Sequence, residues 1–79
     1  MKIVYIYDVK AKDKRTFNRV KRMFYYNLNK LMLKNLSWRT KSVLVIDPEY
    51  ERLLDDFFQD FKSNIEVYKI RAKLIEELF

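Results

Sequence analysis

The chain offers few groups for chemistry, and the missing ones narrow the field. Its 79 residues include no His, no Cys and no Gly. Without imidazole or thiol there is no Ser-His-Asp or Cys-His arrangement, and no Cys-based or HExxH zinc site. Without Gly there is no P-loop and no GxGxxG dinucleotide loop. Carboxylates, hydroxyls, Lys and Arg remain. Catalysis by such groups would rest on a hard cation held through oxygen, polarising a phosphate and activating a water. Asp8 is one candidate carboxylate, at the end of the apolar run Ile3-Val4-Tyr5-Ile6-Tyr7. An acid there also serves as a strand-end turn former or helix cap. Asp55, Asp56 and Asp60 form a second acidic group, and their spacing reads as the solvated side of an amphipathic helix.

Cations are the more informative group. Residues 1–41 hold twelve Lys and Arg against Asp8 and Asp13, a net +10. Residues 42–79 hold five against nine acids, a net −4, so the whole chain carries +6. Such asymmetry points to a polyanion-facing surface built from the first half, because phosphate backbones reward clustered cations through counterion release. Lys14, Arg15, Arg19, Lys21 and Arg22 crowd one segment, and Arg39 lies further on beside Trp38. The competing reading is a helix with a solvated basic face.

These residues must be positioned by a small number of elements. Residues 2–8 are β-branched and aromatic and predict a strand, with Ile3, Tyr5 and Tyr7 on one face and Val4, Ile6 and Asp8 on the other. A strand apolar on both faces belongs in the middle of a sheet. Residues 13–33 predict a long helix whose stripe is Phe17, Val20, Phe24, Leu28 and Leu31, capped at Asp13. Arg15, Arg19 and Arg22 fall opposite that stripe at 100° per residue. Residues 36–39 predict an edge strand and 42–46 a second central strand. The link Thr40-Lys41 is a hairpin or a kink in one bent strand. Asp47-Pro48-Glu49 predicts a helix start, with Asp47 as cap and Pro48 at the first position. Tyr50, Leu53, Leu54, Phe57, Phe58 and Phe61 form its stripe, and Ser63-Asn64 ends it. Residues 65–70 predict a last strand and 72–79 a short terminal helix or tail.

The order is β-α-β-β-α-β, so the fold expected is α+β and ferredoxin-like, one domain over 1–79. It places two helices on one face of a four-stranded antiparallel sheet and leaves the other face bare. That face would expose large apolar residues, so a homodimer packed through the sheet or its edges is expected. No apolar run approaches the length of a membrane span, and the start of the chain lacks the h-region of a targeting sequence, so no membrane partner and a cytoplasmic location are expected. The sequon Asn35-Leu36-Ser37 reads as chance in that setting.

Two readings of the first strand compete. One is an RNA-recognition motif, with Tyr5 as a stacking platform. The third strand lacks the matching aromatics and Gly, which counts against it. The other reading is a family resemblance. Tyr7-Asp8-Val9, the basic Lys12-Asp13-Lys14-Arg15, Ser42-Val43-Leu44 and Ile65-Glu66-Val67-Tyr68 follow one another over residues 1–70. This ordered set resembles the CRISPR-associated Cas-two family, the small adaptation-complex component also described as an endonuclease. Thr40 and Leu44 stand where that family usually has Gln and Phe, and the acidic Gly-containing hairpin that usually follows is absent.

The resemblance implies a homodimer that binds duplex DNA or RNA through the phosphate backbone and bridges dimers of the CRISPR integrase during spacer acquisition. It also implies a divalent-metal nuclease in which Asp8 is the catalytic and metal-linked residue. Two copies of Asp8 would share Mg²⁺ or Mn²⁺ across a twofold axis. Ser42 becomes a phosphate or water ligand by family position. Lys14, Arg15, Arg19, Arg22 and Arg39 are the candidate nucleic-acid contacts. Alternatives are a ribonuclease toxin of the virulence-associated D group and a non-enzymatic ferredoxin-like oligomerisation module.

Overall fold

Strand β1 (Lys2–Val9) organises the molecule, because both of its edges are paired. It is antiparallel to β3 (Val43–Ile46), with Tyr5 opposite Leu44, and to β4 (Ile65–Ala72), with Ile6 opposite Tyr68 and Asp8 opposite Glu66. These three strands form the body of the sheet. A two-residue ladder, β2 (Trp38–Arg39), pairs with β3 at one edge and gives the order β2-β3-β1-β4. The computed structural model describes residues 1–32, 38–76 and 78, without the side chains of residues 32, 38 and 39. The edge strand expected over 36–39 is thus a two-residue ladder, and Leu36 and Ser37 lie outside the described residues.

Helix α1 (Lys14–Met32) starts where the sequence places it. Asp13 accepts from the Thr16 N–H at 2.8 Å and from the Thr16 hydroxyl at 2.9 Å, which satisfies donors the first turn leaves open. These bonds, led by the backbone one, hold the Asp13 carboxyl below its ordinary range. Helix α2 (Glu51–Gln59) follows a 3-10 turn over Pro48–Tyr50. Asp47 occupies the position expected of its cap, but its carboxylate makes no cap bond and instead pairs with Lys2 on β1. The chain leaves α2 through tight turns, with Phe61 N–H donating to the Phe58 carbonyl at 3.0 Å and Asn64 N–H to that of Phe61 at 2.9 Å. Among the described residues no φ is positive, and the chain reverses after α2 through 3-10-like i→i+3 turns that need no Gly.

Both helices pack on the same face of the sheet. Ile3, Tyr5, Tyr7 and Val9 of β1 are buried with Val20, Phe24 and Leu28 of α1, Leu54 and Phe58 of α2, and Leu44 and Ile46 of β3. Phe24 is the hub, its ring 5.3–5.4 Å from those of Tyr7, Phe57 and Phe61. Truncating so enclosed a ring costs about 3–5 kcal/mol by lost transfer energy and cavity formation.

Several expectations are corrected by this arrangement. Residues 38–46 form a hairpin and not a bent strand, since Thr40 N–H donates to the Val43 carbonyl at 2.8 Å and β2 runs antiparallel to β3. One face of β1 stays bare, as two helices on a single side of the sheet lead one to expect: Ile6 is 41% exposed, and Tyr68 and Ile70 beside it on β4 are 60% and 46% exposed. Tyr5 lies under the helices, so it cannot serve as the stacking platform an RNA-recognition motif needs. Residues 73–76 continue β4 as a bend and irregular chain, so no terminal helix forms among the described residues there. No helix among the described residues is long and apolar enough to cross a membrane.

Candidate nucleic-acid interface

The core stripe of α1 fixes where its cations go. With Phe17, Phe24, Leu28 and Leu31 turned to the sheet, Arg15, Arg19 and Arg22 are carried to the opposite side, and all three are exposed together with Lys14. None of these four forms an ion pair among the described residues. Tyr26 continues the same outer row and is 67% exposed. Arg39 is placed in β2 opposite Leu44, its side chain lying outside the described residues.

The cations of the second half behave differently. Lys69 and Arg71 alternate on β4 toward the helix side, where α2 meets them with carboxylates. Lys69 Nζ donates to Glu51 at 2.6 Å and to Asp55 at 2.9 Å, and Arg71 adds a forked pair to Glu51. These hydrogen bonds, from Arg71 first and Lys69 next, lower the Glu51 pKa to about 2. The Tyr5 hydroxyl joins the network, donating to Asp55 at 2.7 Å, and burial before all else pushes its phenol above the ordinary range. Asp55 is therefore not part of a solvated acidic face, as its spacing suggests, but a tie between α2, β1 and β4. Asp56 and Asp60 are exposed as expected. The net result is charge segregation: β4 and α2 neutralise each other, while the row on α1 stays cationic.

Asp8 and Ser42 come together at one end of the molecule. Both line a cleft of about 450 Å³ between α1 and the β2–β3 hairpin. Tyr7 N–H donates to the Ser42 carbonyl at 2.9 Å, and the Tyr25 hydroxyl donates to the Lys41 carbonyl. Lys21 lies 5.8 Å from the centre of the Phe17 ring on the same wall. The Asp8 side chain is largely exposed, with Lys10 Nζ at 3.5 Å. Its register partner is Glu66, which accepts from the Tyr68 hydroxyl at 3.1 Å. Among the described residues no three His, Cys, Asp or Glu side chains gather as a metal-holding group. The carboxylates of one chain at this point are thus Asp8 and its neighbour Glu66, which is a thin donor set for a hard divalent cation that favours six or more oxygens.

Reading the sequence missed Glu66, Lys41 and the flank of α1 that carries Lys21 and Tyr25. The flank was available from helical geometry, since Phe17, Lys21 and Tyr25 are spaced by four. Glu66 and Lys41 were not, because their positions depend on strand register and on the hairpin. Comparison with models of protein families, with curated proteins and with solved structures found no match.

Proposed function

We propose that this chain is a backbone-reading nucleic-acid-binding protein that works as a homodimer, in the manner the Cas-two resemblance implies. The observation that carries the reading is the exposed row Arg15, Arg19 and Arg22 on α1, which forms no ion pair among the described residues, set against a second half whose β4 cations are neutralised internally. Guanidinium groups spaced along a helix suit phosphates and carry no base information. The strand order β2-β3-β1-β4, with both helices on one face, supports the ferredoxin-like assignment, in which the first and third strands are central. The uncovered face supports the homodimer. Val4, Ile6, Tyr68 and Ile70 form an apolar surface across β1 and β4, and a second copy of the same face would bury it. The partner proposed for the dimer is the CRISPR integrase, and the setting is spacer acquisition.

Nuclease activity is the second tier of the proposal. A Mg²⁺ or Mn²⁺ ion would be held by Asp8 from each of two copies and would polarise a phosphate. The donors of one chain do not fit such an ion by themselves, so no catalytic step is derived from them.

The test is binding of a blunt duplex of scrambled sequence, read by fluorescence anisotropy with light scattering on the same sample. A dimer whose affinity is indifferent to sequence and falls with salt is the expected result. A monomer at micromolar concentration that ignores duplex at low salt overturns the proposal. Selective RNA cleavage with growth arrest would favour the toxin alternative.

A further inference from the structure

The cleft between α1 and the hairpin has features that backbone binding does not use. Phe17 and Tyr25 give it an aromatic wall, and Lys21, Lys41 and Ser42 give it a polar rim. At about 450 Å³ it falls within the range of small-ligand sites. Lys21 and Lys41 are exposed and form no ion pair among the described residues, whereas Asp8, the carboxylate on the lining, is matched by Lys10. The rim is therefore cationic. The Tyr25 hydroxyl ties α1 to the hairpin at the Lys41 carbonyl, and the Tyr7 to Ser42 hydrogen bond ties the hairpin to β1.

An occupant that satisfies both halves must be anionic at one end and flat and weakly polar at the other. Inorganic anions leave the rings unused, and neutral aromatics leave the lysines unmatched. A nucleotide meets both requirements. We propose that this cleft binds one nucleotide, its phosphate between Lys21 and Lys41 at the rim and its base against the Phe17–Tyr25 wall. The source is a free nucleotide or the unpaired end of a bound strand. The second source rests on the nucleic-acid function proposed above.

The test is an NMR titration of the full chain with AMP, adenosine and inorganic phosphate. AMP should shift the amides of Val9, Phe17 and Ser42 and bind about tenfold more tightly than either fragment, as expected when ring and charge contacts act together. Lys21→Ala with Lys41→Ala should weaken AMP about tenfold, while the charge-matched pair Arg52→Ala with Lys62→Ala changes it less than about twofold. Displacement of AMP by a duplex with a single-stranded overhang, but not by a blunt one, assigns the site to strand ends. Failure of both to displace it assigns the site to free nucleotides. Phosphate binding as tightly as AMP, equal losses in the two double variants, or displacement by blunt duplex overturns the proposal. Blunt-duplex binding that survives alongside failed AMP binding sinks this inference alone, and the reverse result sinks the function proposed above alone.

Discussion

Removing Arg19 and Arg22 offers the sharpest measure of the proposed interface, because its effect can be counted. Arg15 to Arg22 span seven residues, or about 10 Å of helix at the usual rise. One DNA strand presents a phosphate about every 3.4 Å of axis, so this row can meet about three. Each neutralised phosphate contributes about 0.9 to the slope of log affinity against log salt. The variant Arg19→Ala with Arg22→Ala should therefore flatten the slope by about 1.8 for each α1 face on the duplex. Between 50 and 200 mM salt, the advantage of the unaltered protein should shrink about twelvefold, since four to the power 1.8 is about that number. Where both chains of a dimer contact one duplex, the slope change doubles to about 3.6. The assay is anisotropy of a labelled blunt duplex at several salt concentrations. Arg52→Ala with Lys62→Ala removes the same charge from the start of α2 and from the turn beyond its end, and controls for net charge alone. Equal slopes in the arginine variant and the parent, or equal flattening in the control, would refute the assignment of this face.

Four further outcomes follow from the same contacts. Tyr5→Phe removes a hydroxyl bonded to Asp55 at 2.7 Å while Lys69 still holds that acid, so the loss should be about 1–2 kcal/mol, a fall in Tm of about 4–16 °C at fixed protein concentration; a fall under about 2 °C would show the bond is immaterial. Glu51 is depressed to about 2 from 4.5, so its contribution is fully present above pH 4.5 and is lost as pH falls from there toward 2. Glu51→Gln should flatten acid unfolding in that window, and an unchanged profile would count against the Arg71–Glu51–Lys69 tie. Ile6→Glu puts a charge in the middle of the uncovered sheet face and should give a monomer by light scattering, with the fold intact by circular dichroism; a variant that stays dimeric would move the interface elsewhere. If the proposed nuclease tier holds, Asp8→Asn should remove Mg²⁺-dependent phosphodiester cleavage and leave duplex affinity in place, and cleavage that survives it would exclude Asp8 as the ligand.

Local patterns carried most of the element list. The spacing of Phe17, Phe24, Leu28 and Leu31 defined α1 and sent Arg15, Arg19 and Arg22 outward, because a helix with one buried stripe has no other place for charge. Asp13 was legible as a cap for the same local reason. Asp47 was not, because its carboxylate has a choice between its own helix and Lys2, and that choice is made across 45 residues of sequence. The hairpin at Thr40 and the register that sets Asp8 opposite Glu66 likewise required the neighbouring strands.

The sequence by itself determined the periodic elements, the cationic first half and the absence of thiol and imidazole chemistry, since these depend on residue type and spacing alone. Only the tertiary structure decided which face of β1 is covered, which lysines are neutralised and which walls make the cleft. Those outcomes turn on pairings between residues far apart in the chain, and an acid on α2 or a ring on β1 has no assigned partner until the strands and helices meet.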